Sequence, residues 1–497
     1  MPETSNHYIC KVTTQSFDSY QGDHLRLCIA TFFILMRMKS FNKSLWVILW
    51  LFIAIKAQAQ ESVTLRQLLQ RVSQTAPSLQ TDSAAIVIKQ AQAIETRHNW
   101  LPSLKLNYQT DIGTNNNDAG PYFGFGIIPS SSRGVRTNSN TQLASTNIGV
   151  AALDWEIYNF GAYEAQNRVA KSDVEVQQHR FTQSKYQLQA FTIGNYFQLV
   201  RLMDCMAIQV RNIQRNEEIK RSIESLTKSG VRAGVDTSMA EAELSKARLN
   251  YIELLNQSKQ VQLNLAAISN LSYEHIIPDT SAVTRLTNNS PHDHLNAADT
   301  TNHPLINYYK SIYQNSLKRE NLIKKSYSPK ILLEGAVWGR GASIDANDHF
   351  NSLSDGFNLN RTNYLLGLAI SYNIFDISKR KLRLSTQKMI SQYSQRKLQE
   401  ETQLLSTDNG QANLALNTAI QRLKEIPNQL KAANAAYLQK LSLYKNGLTD
   451  IIELNIALNI LYRAETDYVN AKYSYVSALF QKAIAENQVN TVLNLLN

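Results

Sequence analysis

Alternating apolar and polar positions predict β-strands in each half of the chain. In residues 364–374 every second residue is large and apolar, whereas small or polar residues such as Gly367, Ala369 and Ser371 stand between them. A second alternation covers residues 104–112. A strand of about ten residues with one apolar and one polar face is typical of a membrane β-barrel. A half-buried strand of a soluble sandwich gives the same alternation.

Aromatic residues near the predicted strand ends favour the membrane interpretation. Outer-membrane strands are flanked by aromatic girdles at the two lipid–water interfaces. The aromatic residues at such positions are Trp155, Tyr158, Trp338, Tyr372 and Phe375. We therefore expect two strand pairs, in residues 102–158 and 329–376, with lipid on their apolar side and water on the other.

Long helical segments follow each strand pair. The helical spacing continues for about 70 residues, which corresponds to a helix on the order of 100 Å long. Returning helices begin after Gly230 and Gly447 and carry coiled-coil seams, with apolar residues at alternating intervals of three and four. The seams consist of Leu244, Ala247, Tyr251, Leu254, Ser258, Val261, Leu265 and Ile268, and of Leu461, Ala464, Tyr468, Ala471, Tyr475 and Ala478. We expect helical hairpins over residues 159–270 and 377–490, with tips at the two glycines.

The second half of the chain repeats the first. A shift of 217 positions places Trp155 on Tyr372 and Gly230 on Gly447, and identities at the same shift continue into the returning helices. A unit of about 200 residues is far longer than a solenoid repeat. The predicted division is a first repeat at 60–277, a polar linker at 278–302 and a second repeat at 303–497.

The predicted fold class is a mixed α+β membrane protein built from a duplicated strand–helix hairpin unit. Four membrane strands per chain cannot close a barrel, and open strand edges are not tolerated in lipid. Three copies would supply twelve strands, within the range of known barrels. The long helices would then continue the trimeric barrel as a helical tube on the same axis, so the expected object is a duct.

The amino-terminal residues predict secretion. A basic start after Met36, an apolar stretch at 45–55 and the sequence Ala57-Gln58-Ala59 make a secretory signal at 38–59. Residues 1–37 then form an upstream extension from a misassigned start, and translation is expected to begin at Met36 or Met38. Cleavage after Ala59 would make Gln60 the mature amino terminus.

Composition adds little chemistry to this picture. The formal net charge is +11, but Lys and Arg are dispersed along helical faces, which predicts a solvated surface and no nucleic-acid partner. Outside residues 1–59 the only cysteine is Cys205, which is expected to be a small buried residue. His292 and His294 form the one histidine cluster, in the polar linker, where a loop is favoured over a metal site. We expect no cofactor, no metal and no enzyme activity.

Short motifs at equivalent places in the two repeats carry a family resemblance. The motifs are Leu101-Pro102-Ser103-Leu104 and Ser328-Pro329-Lys330-Ile331 before the strands, and Gly230-x5-Asp236-x3-Ala240 and Gly447-x5-Glu453-x3-Ala457 after the tips. In this order and duplication, residues 61–497 resemble the TolC-type outer membrane efflux proteins. The resemblance implies a homotrimer with a twelve-stranded barrel in outer-membrane lipid and an α-barrel across the periplasm. It also implies docking onto a periplasmic adaptor protein and an inner-membrane pump, for efflux or for type I secretion.

The resemblance further implies a gate at the periplasmic end. By position, Asp236 matches the acceptor and Tyr444 the donor of a link between neighbouring coils, and Glu453 matches an acidic ring that narrows the pore. The chain departs from the family pattern at Thr449, where a basic link residue is expected, and at Ile456, where a second ring acid is expected. Alternatively, Asp236 is an ordinary acid in the first turn of a helix, and Glu453 lies on a solvated face.

A second functional class also fits the helical part of the pattern. A secreted coiled-coil scaffold or adhesin without a channel would explain the heptad seams. It would leave the alternating strands and their aromatic ends unexplained, so the export duct is the favoured hypothesis.

Overall fold

The computed structural model describes residues 63–116, 137–288 and 302–496. The predicted upstream extension, the signal at 38–59 and the His292/His294 cluster lie outside the described residues. In the described part, the order of elements repeats as the sequence predicts. Two helices lead into the first strand pair and one helix leads directly into the second, and a long helical hairpin follows each pair.

Helices and strands follow one another in two rounds. The helices are α1 (Leu65–Thr75), α2 (Pro77–His98), α3 (Ala162–Lys228), α4 (Gly234–Ser269), α5 (Ser281–Asn288), α6 (Pro304–Ser326), α7 (Asp376–Lys445), α8 (Ile451–Ala485) and α9 (Val489–Asn494). The strands are β1 (Ser103–Thr114), β2 (Leu143–Tyr158), β3 (Lys330–Ala342) and β4 (Arg361–Ser371). Short 3₁₀ turns occupy Tyr273–His275 and Leu353–Phe357. No described helix has the length and apolar content of a membrane span.

The four strands form one antiparallel sheet in the order β1-β2-β3-β4. Residues that lie directly opposite each other in such a sheet share a face. The register therefore places Leu104, Leu106 and Tyr108 of β1 on the same face as Leu366 and Leu368 of β4. The other face carries Lys105, Asn107, Asp154, Glu334, Arg340 and Asn363. The predicted division into an apolar and a polar face is confirmed.

The aromatic girdle is only partly as predicted. Trp155 lies on the apolar face opposite Leu333, and its indole nitrogen donates to the Trp100 carbonyl at 2.9 Å. Trp338, in contrast, pairs with Val150 and Asn363 on the polar face, so its assignment to the lipid girdle is wrong. Nearness to a strand end does not determine the face; the alternation along β3 does, and it puts Trp338 on the same face as Glu334 and Arg340. Strand β4 ends at Ser371, three residues before the alternation at 364–374 does.

The long helices form two hairpins that pack together. The contacts between α3 and α4 and between α7 and α8 follow the predicted seams, where Leu244, Leu265, Leu461 and Ala471 are buried. Helix α7 contains Pro427 in its interior, although a proline removes one intrahelical hydrogen bond. Its neighbour Ile426 is buried, so tertiary packing compensates for the lost bond.

Short helices outside the two hairpins contribute to the larger hydrophobic core. Pro77 and Pro304 begin the helices that precede the strand pairs, and proline is favoured at a first helical position. The predicted linker at 278–302 is not all loop, because helix α5 buries Ala282, Val283 and Leu286 in that core. Cys205 is free and buried, as expected.

Candidate functional site at the helix tips

The two hairpin tips have the same backbone conformation. Gly230 and Gly447 both have φ of +76°, a conformation in which a Cβ atom is strained. After each glycine the next amide bonds back to the carbonyl five residues earlier, from Val231 to Leu226 at 3.0 Å and from Leu448 to Leu443 at 2.9 Å. This is the Schellman ending of a helix, and glycine is the residue it favours. The predicted tips are confirmed in position.

The side chains of the two tips meet in one apolar cluster. Ile223 of α3, Tyr444 of α7 and Leu454 of α8 belong to it. The cluster also contains Ile219, Ala240, Ala433, Tyr437, Ile451, Leu458, Leu461 and Ala464. Because both hairpins contribute, the tips of one chain form a single packed unit, and a motion of one tip is opposed by the other.

Tyr444 lies inside this unit with a hydroxyl that lacks a partner. The residue is 1% exposed, and its buried oxygen makes no hydrogen bond to any residue that the structure describes. The expected bond to Asp236 is therefore not formed within a single chain. Burial raises the pKa of Tyr444, and the nearby Asp236 charge raises it further, whereas Arg232 opposes the shift. Asp236 and Arg232 are thus both close enough to act on this side chain electrostatically.

Arg232 is the tip residue that sequence reasoning missed. Its Nη2 donates to the Thr449 carbonyl at 2.7 Å, and its guanidinium carbon lies 5.0 Å from the centre of the Tyr444 ring. Arg232 stands 217 positions before Thr449, so it occupies the equivalent place in the first repeat. A basic residue was expected at Thr449 itself; the structure instead brings one to Thr449 from the other tip. The repeat register was the signal that could have found it.

Glu453 is held by residues of its own hairpin. Lys440 donates to Glu453, and the Thr449 hydroxyl donates to the same carboxylate oxygen at 3.0 Å. These two contacts, Lys440 first, lower the pKa of Glu453. The side chain of Asp450 caps α8 by accepting from the Glu453 amide at 2.9 Å. Ile456, three residues on, is 54% exposed.

A charged contact joins the two hairpins away from the tips. Arg215 of α3 donates through both terminal nitrogens to Glu465 of α8, at 2.9 and 2.8 Å. The same guanidinium lies 6.0 Å from the centre of the Tyr437 ring. Such a two-pronged arginine–carboxylate contact fixes geometry as well as charge. It fastens the first repeat to the second within one chain.

The polar contacts of the tips lie within and between the two hairpins. Among the described residues no group of three His, Cys, Asp or Glu side chains could hold a metal ion. Lys440 and Thr449 contact Glu453 within the second hairpin, whereas Arg232 contacts Thr449 across the two hairpins. The Arg232 contact therefore holds the two hairpins together.

Comparisons with known proteins identify the family. The sequence pattern of the outer membrane efflux protein family matches residues 68–271 and 296–481. No curated protein matches the chain significantly.

Solved structures agree in fold. The chain is similar to VceC of Vibrio cholerae, with 13% identity and a TM-score of 0.67 over 85% of this chain and 95% of that one. It is similar to the CmeC outer membrane channel of Campylobacter jejuni, with 15% identity and a TM-score of 0.67 over 86% of each chain. The MtrE outer membrane channel of Neisseria gonorrhoeae, solved in its open state, matches with 17% identity and a TM-score of 0.61, over 86% of this chain and 89% of that one.

The family match covers most of the chain and both repeats, and it sets aside the scaffold or adhesin alternative. Outer membrane efflux proteins are channels and not an enzyme family. The chain belongs to the outer membrane efflux protein family and lies in the outer membrane with its helices extending into the periplasm.

Proposed function

We propose that three copies of this chain form one export duct whose periplasmic end is opened and closed by the helix tips. Family membership makes the chain the outer-membrane exit path of an efflux system. The proposal adds the homotrimer, the periplasmic adaptor and inner-membrane pump that the duct would serve, and the residues of the gate.

The sheet supports the homotrimer. Among the described strands, β1 and β4 each pair on one side only, which leaves two open edges. In lipid the unpaired backbone groups of such edges would each cost several kcal/mol. Three sheets joined edge to edge would satisfy every strand in a barrel of twelve. Helix α7 also exposes apolar Leu382, Met389 and Tyr393, which a neighbouring copy would cover.

The buried hydroxyl of Tyr444 is the observation that carries the gate. A buried hydroxyl without a partner costs about 1–3 kcal/mol, and the Asp236 carboxylate that could accept its proton lies nearby. A small displacement of one tip, or a neighbouring copy, would complete the bond. Arg232 already ties the tips together at Thr449. In the proposed gate, the open and closed arrangements of the tips would differ by a few polar contacts.

The outermost residues of the tips support the adaptor as partner. Val231 and Leu448 occupy equivalent positions after the two glycines, and both side chains are exposed. Two apolar residues at the far end of a long helical tube are available to a partner protein. An adaptor bound there would act directly on the gate.

Conductance of the purified protein in planar bilayers tests the gate. Tyr444→Phe with Asp236→Ala should raise the resting conductance, because a hydrogen bond to a charged acceptor contributes about 1.5–3 kcal/mol and threefold symmetry repeats it. Asp408→Ala is the matched control, since Asp408 is exposed on α7 away from the tips. If the first pair conducts like the wild type while still forming trimers, Asp236 is only a helix-end acid and the gate assignment is wrong.

A further inference from the structure

The chain passes four times between the sheet and the helices at one end of the sheet, and aromatic side chains mark these passages. Trp100, Tyr158, Tyr372 and Phe375 are exposed there, Phe375 at 88%. Trp100 and Trp155 stack edge to face with ring centres 5.2 Å apart. Tyrosine and tryptophan favour the lipid–water interface, where one end of the ring is wet and the other apolar. This end of the sheet is therefore the periplasmic boundary of the bilayer, because the helices that leave it extend into the periplasm.

Cations accumulate one or two helical turns beyond these aromatics. We call them the junction collar: Arg97, Lys324, Lys325, Arg380, Lys381 and Arg383. They come from the last turns of α2 and α6 and the first turns of α7.

In the described part of the chain, no collar residue has a carboxylate within ion-pair distance. The acids at the passages are already engaged: Glu156 with Lys330, Glu164 with Arg168, and Asp376 with Lys379. Glu95 and Glu320 are the remaining acids of the adjoining turns, two against the six cations of the collar, so positive charge exceeds negative charge there.

Helix-end electrostatics explain only part of the collar. Lys324 and Lys325 lie in the last turn of α6, where the helix dipole favours cations. Arg380, Lys381 and Arg383 follow the first turn of α7, so the dipole at that helix end does not account for them. Arg383 lies 6.0 Å from the Tyr327 ring centre at the end of α6, so the two groups adjoin. The positive charge of these three residues is therefore available to an anion from outside the chain.

We infer that the junction collar binds the phosphate headgroups of anionic phospholipids in the periplasmic leaflet of the outer membrane. The collar is continuous with the lipid-facing side of the sheet through the aromatic belt. The headgroup phosphates of the leaflet would lie at this depth, beside the collar residues. Basic residues beside a membrane-spanning segment attract anionic lipid in this way, and salt screens the attraction. The collar would fix the height of the duct in the bilayer.

Tryptophan quenching by brominated lipid tests the inference on the full protein reconstituted into vesicles. Once the predicted signal at 38–59 is removed, replacing Trp338 with Phe leaves Trp100 and Trp155 as the reporters beside the collar. Brominated phosphatidylglycerol should associate about threefold or more strongly than brominated phosphatidylcholine at low salt, and the ratio should fall towards one at about 0.5 M NaCl.

Matched variants assign the effect to the collar. Arg380→Gln/Lys381→Gln/Arg383→Gln should bring the ratio close to one. Lys324→Gln/Lys325→Gln should also lower the ratio, and this second variant tests the collar if the triple variant fails to fold. Arg422→Gln/Lys424→Gln/Lys431→Gln, on the same helix but about 60 Å away, should leave it unchanged.

Three results would overturn the inference. The first is a ratio near one in the parent protein, and the second is a ratio that neither collar variant lowers. The third is loss of binding to purified peptidoglycan in the collar variants while the lipid ratio stays the same, which would make the cell wall the partner instead.

Discussion

The two hairpin tips share one backbone conformation but differ in their side chains. Gly230 and Gly447 share φ, hydrogen bonds and register. The residue two positions later is Arg232 in the first tip and Thr449 in the second, and these two contact each other. Duplication thus preserved what each tip needs to turn, while the side chains differ: Arg232 donates to the Thr449 backbone carbonyl of the other tip, and the Thr449 hydroxyl donates to Glu453 of its own hairpin. We expect function at the positions where the two tips differ, because the needs of packing alone would not make equivalent positions different.

The apolar interior of the tips is the first place to test this asymmetry. Leu454 is fully buried in the tip cluster, whereas the equivalent residue of the first tip, Thr237, is half-buried and bonds weakly to Thr227 at 3.3 Å. Leu454→Ala should cost about 2–5 kcal/mol by leaving a cavity. Thr237→Ala should cost less than about 1 kcal/mol. Denaturant unfolding of the two variants measures the difference; equal costs would show that the tips share the core evenly.

The two faces of the sheet give the next largest effect. Leu368 lies on the apolar face and Leu365 on the polar face of the same strand. Leu368→Arg should cost about 2–4 kcal/mol if it lies near the bilayer midplane, whereas Leu365→Arg should be mild because its new charge faces water. Reversible unfolding from vesicles compares the two. Similar losses at both positions would contradict the lipid and water assignment of the faces.

Local periodicity explains why so much of this architecture could be predicted from sequence. The coiled-coil seams of α4 and α8 and the glycine tips depend on how residues are spaced along the chain, and this spacing can be read directly from the sequence. Trp338 was misplaced because nearness to a strand end does not specify a face, whereas its even spacing from Glu334 and Arg340 puts it on the polar face. Arg232 was missed because its contact with Thr449 joins residues 217 positions apart.

A charge swap between the tips tests whether the divergence is functional. Arg232→Thr should raise the resting conductance, because a charge-assisted hydrogen bond of about 1.5–3 kcal/mol is lost in each chain. Adding Thr449→Arg returns a basic residue to the tips from the opposite side and should restore a low conductance. Bilayer recordings compare the resting conductance of the single and double variants with that of the wild type. A double variant that leaks more than the single one would mean that the position of the arginine matters and not only its presence.

The smallest expected effect is a pH dependence confined to the second tip. Lys440 and Thr449 lower the pKa of Glu453, so the unfolded chain takes up a proton first as the pH falls. The stabilisation is present above the unfolded value of 4.5 and is lost as the pH falls through the lower folded value. The first tip has Ile223 where the second has Lys440, so it lacks this contact.

Hydrogen exchange, corrected for the intrinsic effect of pH, can resolve the two tips in one experiment. Peptides covering 440–455 should lose protection as the pH falls from about 6 to about 3.5, while peptides covering 223–238 should keep theirs. Glu453→Gln should remove the pH dependence, because the amide imitates the protonated acid at every pH. If both tips loosen together in the wild type, the low-pH change belongs to the whole tip cluster and the Lys440–Glu453 contact does not hold the second tip on its own.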